Sequence, residues 1–356
     1  LFTKVIEAAW TGRTAFEPVA RQLFGVMTKG GLFGAESIDW FNGGLFNDDA
    51  AFPLDKDDLA LVRKAAALDW SAIDPSIFGT LFERGLDPSK RSQLGAHYTD
   101  REKIMLIVDP VIVRPLTKEW DEAKAKITAL IEKAPVQTKD RLLRGNELGA
   151  RTKAFNDAAA IQRAFLDRLK TFRVLDPACG SGNFLYLALL ALKDLEHRVN
   201  IECEALGLPR PLVLGVGPEN VRGIEINEFA AELARMSVWI GEIQWMRKNG
   251  FDAARNPVLK PLEHIECRDA ILGETSGRPI WPQSDAIIGN PPFLGRQDFV
   301  ELLGEEYLKC LRDQYVEEVP GQADLVAYWF AQAHSSAILG SSIGLVATNS
   351  IRRGVN

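Results

Sequence analysis

With 356 residues, 46% apolar and 25% charged, the chain is long enough for one large α/β domain beside a smaller one, and its composition excludes disordered, collagen-like and fibrous classes. A net charge of −6 and an isoelectric point near 5.5 exclude a uniformly basic surface of the kind that coats nucleic acid. Four widely spaced cysteines, Cys179, Cys203, Cys267 and Cys310, form no CxxC pair, which argues against a zinc site or a disulfide framework and for a reducing cytoplasm.

The sequence opens at Leu1 without an initiating methionine and without the basic, apolar and small-residue order of a signal peptide. Residues 1–85 mix short apolar-periodic segments with turn signals such as Gly30-Gly31 and Asn42-Gly43-Gly44. Residues 59–68 have helical spacing, and the whole reads as a mainly helical connector region. Asp87-Pro88 marks a boundary, so residues 86–356 are expected to form the larger domain. Within it, 104–113 is an apolar helix or strand, and 118–170, rich in Ala, Lys and Glu, is a helical insertion. That insertion holds 12 Lys/Arg against 8 Asp/Glu, a net of +4 that leaves −10 elsewhere, so one locally basic face is compatible with the acidic total.

From residue 172 the pattern changes to alternating strands and helices, the signature of an α/β, Rossmann-like doubly wound parallel sheet. Strands are expected at 173–175, 221–224, 265–268, 286–288 and 343–347, and helices at 183–193, 229–246 and 325–339. The most apolar stretch, 325–348, is interrupted by Gln332, His334 and several serines, and nothing reaches the ~20 apolar residues of a membrane span. The sequence stops at Asn356 directly after a strand-like run, so it reads as a piece of a longer protein.

Ligands of such sheets sit at the carboxyl ends of the strands, which directs attention to the residues just after each one. The first strand leads into Asp176-Pro177-Ala178-Cys179-Gly180-Ser181-Gly182-Asn183-Phe184. Two glycines two apart between a strand and a helix either make a structural tight turn or let the backbone approach a ligand at a helix N-terminus. Leu185 stands where a dinucleotide fingerprint has its third glycine, and the Gly-Lys-Ser/Thr of a phosphate-binding loop is missing. Glu225, followed by Ile226, ends the second strand, where a carboxylate accepts from ribose hydroxyls or is simply solvated. Asp269, followed by Ala270, ends the third and could accept from an adenine amino group.

The fourth strand ends in Gly289-Asn290-Pro291-Pro292-Phe293. Two prolines after a buried apolar run stop the strand and fix a rigid loop, but they do not explain the Asn before them and the aromatic after them. The Asn290 side-chain oxygen and the Pro291 carbonyl can each accept one N–H of a planar amine and localise its lone pair, and Phe293 can stack on a base swung out of a duplex. Other residues read as ordinary. Cys179 is a small packing residue, His97 has no carboxylate partner at ligand spacing, and His334, Trp239 and Trp245 are core, interface or solvated positions. Asp324 reads as a helix cap.

Motif by motif, residues 95–349 resemble the amino-methyltransferase class of DNA methylases, in the subclass whose cofactor motifs precede the catalytic motif. The resemblance implies S-adenosylmethionine as cofactor and the N6 amine of adenine in double-stranded DNA as target. It implies cofactor contacts from Tyr98, Thr99, Asp176, Pro177, Ala178, Gly180, Gly182, Asn183, Phe184, Glu225, Ile226, Asp269 and Ala270, with Tyr98 and Thr99 closing over its methionine end. It places Asn290, Pro291, Pro292 and Phe293 on the target base, with no metal. More narrowly, Phe78-Gly79-Thr80-Leu81-Phe82-Glu83 through Gly95-Ala96-His97-Tyr98-Thr99 resembles MmeI-like restriction–modification enzymes, which join nuclease, connector, methylase and recognition domain. Neither an Asp…Glu-x-Lys nuclease constellation nor a recognition domain is found in residues 1–356, so either these functions lie in a longer protein or they are absent. Related loops also serve methylation of cytosine N4, ribosomal RNA guanine and protein glutamine, and a scaffold that has lost its chemistry is a non-enzymatic alternative.

Overall fold

The computed structural model describes residues 1–38, 46, 49–68, 73–77, 99–137, 142–211, 213–251, 262–273, 277–293, 296–321, 323–348 and 351, with the side chains of 296–299, 301 and 302 left out. The chain divides into two compact units, Leu1–Asp74 with Ile243–Glu263, and Pro75–Glu242 with His264–Asn356. The boundary expected at Asp87-Pro88, and the stretch from Phe78 to Tyr98 that includes His97, lie outside the described residues.

In the first unit, α1 (Phe2–Trp10) and α2 (Phe16–Lys29) are followed by a short antiparallel hairpin, β1 (Gly31–Phe33) with β2 (Glu36–Ile38), and by α3 (Lys56–Ala66). Val5, Ala20, Leu23 and Ile38 form its core. The helix expected at 59–68 starts earlier because Asp55 accepts the amides of Asp57 (2.8 Å) and Asp58 (2.9 Å), while the Asp58 carboxylate reaches back to the Asp55 amide. The hairpin is absent from the sequence reading. Three-residue strands are too short for alternation to show.

The second unit opens with α4 (Arg101–Val108), capped by Asp100, whose Oδ1 accepts the Lys103 amide at 3.0 Å. Asp109-Pro110 does not end this helix. The chain widens into a π-helical turn, Asp109–Val113, and continues as α5 (Arg114–Glu132), so 104–113 is helical throughout. The stretch expected as an insertion holds α5 and α6 (Gly145–Thr171), which pack on one another. It is no loose appendage. Trp120 is fully buried beside Phe165, with ring centroids 5.2 Å apart, and its indole N–H donates to Glu202 of α7 (Asn183–Ala205) at 2.7 Å. Arg168 pairs with Asp285 at 2.7 Å, and the second Asp285 oxygen accepts the Arg173 amide, which ties α6 to the feet of two strands.

All five expected strands form: β3 (Val174–Asp176), β4 (Val221–Glu225), β5 (Ile265–Cys267), β6 (Ala286–Gly289) and β7 (Ser342–Leu345). They pair in parallel in the order β5-β4-β3-β6-β7, with Val174 beside both Val221 and Ala286. Helices α7, α8 (Glu228–Lys248) and α10 (Leu325–Ser336) lie between strands as expected. Helix α9 (Arg296–Gln314), broken at Gly304, is an addition. Leu175, Ile224, Ile271, Ile287, Trp281 and Trp329 are buried in one cluster. The strand order reverses at β3, from which the chain builds outward through β4 and β5 and then returns to β6. The crevice between the carboxyl ends of β3 and β6 is therefore the topological switch point, where ligands of doubly wound sheets bind.

Candidate active site

Two loops meet at that switch point. From β3, the buried Asp176 uses Oδ1 to accept the Ala178 amide at 3.0 Å, while its buried Oδ2 has no partner among the described residues. Burial, reinforced by the nearby Glu225 carboxylate and only partly offset by the Ala178 bond, pushes its pKa up from 3.8 to about 8. The folded state thus holds a proton that the unfolded chain releases near pH 4, and stability falls as pH rises from about 4 to about 8. Asp176→Asn lacks this dependence. Its urea midpoint is expected to gain on the wild type across that window, whereas midpoints that stay parallel would mean the carboxyl is ionised throughout.

The turn after Asp176 is built on backbone contacts. The Cys179 amide donates to the Ile224 carbonyl at 3.1 Å, and Gly182 donates back to Cys179 at 2.8 Å. Gly182 adopts φ 86°, and a methyl group there would lie 2.8 Å from Ala234 Cα, so α7 begins where only glycine fits. Gly180, at φ 53°, faces open space. Its amide donates to Glu225 Oε2 at 2.9 Å, and Glu225 Oε1 accepts the Asn227 amide at 2.9 Å. Burial raises the pKa of this carboxyl against those two bonds, and lone pairs remain on both oxygens for a hydroxyl pair. Ile226 beside it is 60% exposed, an apolar surface for a flat ring. Asn183, the first residue of α7, has a buried Oδ1 without a partner among the described residues. Pro177, Phe184 and Ala270 are buried supports, with the Ala270 carbonyl accepting the Trp281 indole N–H at 2.6 Å.

Asp269 is more occupied than its place at a strand end suggested. Its Oδ1 accepts the amides of Ile271 (2.8 Å) and Leu272 (2.9 Å), and its Oδ2 accepts the Tyr307 hydroxyl at 2.7 Å. One lone pair is left. Burial and this carboxylate drive the Tyr307 pKa upward, so the phenol stays a donor. Tyr307 was missed in the sequence because it lies on the unpredicted α9, 38 residues from its partner.

From β6, Gly289 passes so close to the β3 loop that a methyl group on it would lie 2.5 Å from Asp176 Oδ1. Asn290 follows. Its Nδ2 donates to Thr99 Oγ1 at 3.0 Å, and its Oδ1 is buried without a partner among the described residues. Pro291 is buried, while Pro292 and Phe293 are half-exposed. The structure thus gathers Asp176, Gly180, Gly182, Glu225, Gly289 and Asn290 at one end of the sheet, and hydrogen-bonds Thr99 to Asn290. Tyr98 lies outside the described residues. Asp324 makes no capping hydrogen bond with its side chain, Cys179 is a buried packing residue, and His334 is exposed. Trp245 stacks on Phe251 within the first unit. No helix among the described residues is long and apolar enough to cross a membrane.

A 3-2-1-4-5 parallel sheet, with a glycine turn after its first strand, an acid ending its second and Asn-Pro-Pro-Phe ending its fourth, defines a Rossmann-like methyltransferase domain. The chain belongs to the MmeI DNA-methyltransferase domain family, whose model matches residues 152–356. It is 26% identical over 303 residues to DNA methyltransferase A of Bacillus subtilis (strain 168), covering 83% of this chain and 30% of that protein. Its fold is similar to that of the type IIL restriction–modification enzyme MmeI, solved in complex with DNA. The TM-score there is 0.65 at 24% identity, over 97% of this chain and 44% of that one. The chain therefore spans less than half of either relative.

Proposed function

We propose that this domain transfers a methyl group from S-adenosylmethionine to the N6 amine of adenine in double-stranded DNA, within a longer cytoplasmic restriction–modification or phage-defence protein. The observation that carries the reading is Asn290, whose amide nitrogen is tethered by Thr99 while its oxygen is buried, unpaired and placed at the switch point beside the cofactor turn. The membership in a DNA-methyltransferase domain family and the likeness to MmeI, a DNA-bound restriction–modification enzyme, support the substrate.

The pocket suits the cofactor chemically. Of its orphaned buried atoms, Asn183 Oδ1 is an acceptor and Asp176 Oδ2 becomes one when a positively charged ligand displaces the carboxyl proton, and the space facing Gly180 is open, which fits a ligand rich in N–H and O–H donors and bearing positive charge. Asp176, Gly180, Gly182, Asn183, Glu225, Ile226 and Asp269 would hold S-adenosylmethionine, which when bound supplies a methyl group made electrophilic by its sulfonium. Pro177, Ala178, Phe184 and Ala270 shape that pocket.

The remaining chemistry belongs to the catalytic loop. An aromatic amine is a weak nucleophile because its lone pair is delocalised into the ring. Asn290 Oδ1 and the Pro291 carbonyl each accept one N–H and draw the nitrogen towards tetrahedral geometry, so the lone pair localises along one direction. Pro292 fixes the loop, and Phe293 stacks on the extruded base. DNA contacts that select the sequence would come from a recognition module outside residues 1–356. Tritiated methyl transfer to unmethylated DNA by the full-length protein, followed by nucleoside digestion and mass spectrometry, is expected to yield N6-methyladenine. Label in N4-methylcytosine, or none in DNA, would overturn the assignment.

A further inference from the structure

Resting on the reading of Asn290 as the acceptor of the target amine, we infer that Thr99 is a positioning residue for catalysis, holding the Asn290 carboxamide so that its oxygen faces the substrate. A carboxamide has two ends of nearly equal size and opposite hydrogen-bonding sense. With its oxygen towards the base it accepts an N–H. Turned over, it would oppose one NH₂ with another and hold the amine away. Nothing covalent distinguishes the two states, so a neighbour must hold the carboxamide where the target amine meets its oxygen. Thr99 Oγ1 accepts from Asn290 Nδ2 at 3.0 Å; the hydroxyl, which can donate as well as accept, tethers the carboxamide in place while the N–H of the target selects the oxygen-outward state.

Thr99 is itself well held. It immediately precedes Asp100, the N-cap of α4. That helix and the following π-helical turn press on β7, where a methyl group on Gly344 would lie 2.7 Å from Val111 Cγ2 and 2.8 Å from Ile107 Cγ2. Strand β7 pairs with β6 in register, Gly289 opposite Leu345, so the element that presents Thr99 and the strand that presents Asn290 are braced against the same edge of the sheet. A hydroxyl on such a support can fix a carboxamide to within the few tenths of an ångström that orientation requires. This role differs from one at the cofactor, and the two make opposite kinetic predictions.

The test compares Thr99→Val, Thr99→Ser and Asn290→Ala in the full-length protein, reading cofactor affinity by calorimetry and single-turnover methyl transfer to unmethylated DNA at saturating cofactor. Thr99→Val is expected to slow transfer about 10- to 100-fold with cofactor affinity within about twofold of wild type. Thr99→Ser, which keeps the hydroxyl, recovers most of the rate. A Thr99→Val protein that binds cofactor about tenfold more weakly but transfers at the wild-type rate once saturated would assign Thr99 to the cofactor and overturn the inference. Equal slowing in Thr99→Val and Thr99→Ser would make its role one of packing and overturn it too. Wild-type rates in Asn290→Ala would instead defeat the underlying reading of Asn290, whatever Thr99 does.

Discussion

Replacing Asn290 with alanine is expected to lower methyl transfer by about 10²- to 10³-fold while leaving cofactor affinity within about twofold. On the proposed reading the side chain supplies one of two acceptors for the target amine, and its removal leaves the Pro291 carbonyl alone to localise the lone pair. The expected effect therefore falls on the chemical step. Affinity for the cofactor should survive because Asn290 Nδ2 is bonded to Thr99, and the contacts of Asp176 with Ala178 and of Glu225 with Gly180 are made within the loops after β3 and β4. Single-turnover transfer of a tritiated methyl group measures the first quantity and calorimetry the second. A loss confined to cofactor binding would move Asn290 out of the reaction centre and into the cofactor pocket.

Gly182→Ala is expected to destabilise the second unit by about 3 kcal/mol, combining the cost of a side chain in the left-handed region with overpacking at a backbone contact. The new methyl group would lie 2.8 Å from Ala234 Cα and 3.1 Å from its carbonyl oxygen, both on α8, where no rotamer change relieves the clash. Gly180→Ala is the control. Its φ of 53° carries the conformational cost, but a methyl group there meets nothing within 4 Å, so about 1 kcal/mol should be lost. Because that open space is where the cofactor is expected, Gly180→Ala should weaken cofactor binding more than it weakens the fold. Urea denaturation of the two variants beside calorimetry would separate these effects, and equal stability losses would refute the close packing of Gly182 on α8.

The legible part of the site is the part written in consecutive residues. Strand ends, the run from Asp176 to Phe184 and the loop from Asn290 to Phe293 were readable because hydrophobic period, glycine spacing and paired prolines are local signals. Asp269 was readable as a strand-end acid but not as a carboxylate already engaged by Tyr307, because that bond joins residues 38 apart through a helix without a clear periodic signature. Thr99 was singled out by resemblance for one role and is found bonded to a residue 191 positions away. The hairpin β1–β2 and the π-helical continuation past Pro110 escaped for a different reason. One is shorter than its own period, and the other defies the usual rule that proline ends a helix.

The sequence by itself determined the parallel α/β architecture, the five strands and the loop proposed as the reaction centre, since burial pattern and turn chemistry act over a few residues at a time. Only the tertiary structure decided which strand ends share a crevice, that Gly289 must be bare to pass Asp176, and that Asn290 has one end of its amide tied and the other free. These are close approaches between segments more than 100 residues apart. They are fixed by the order in which strands pair, which no local propensity encodes.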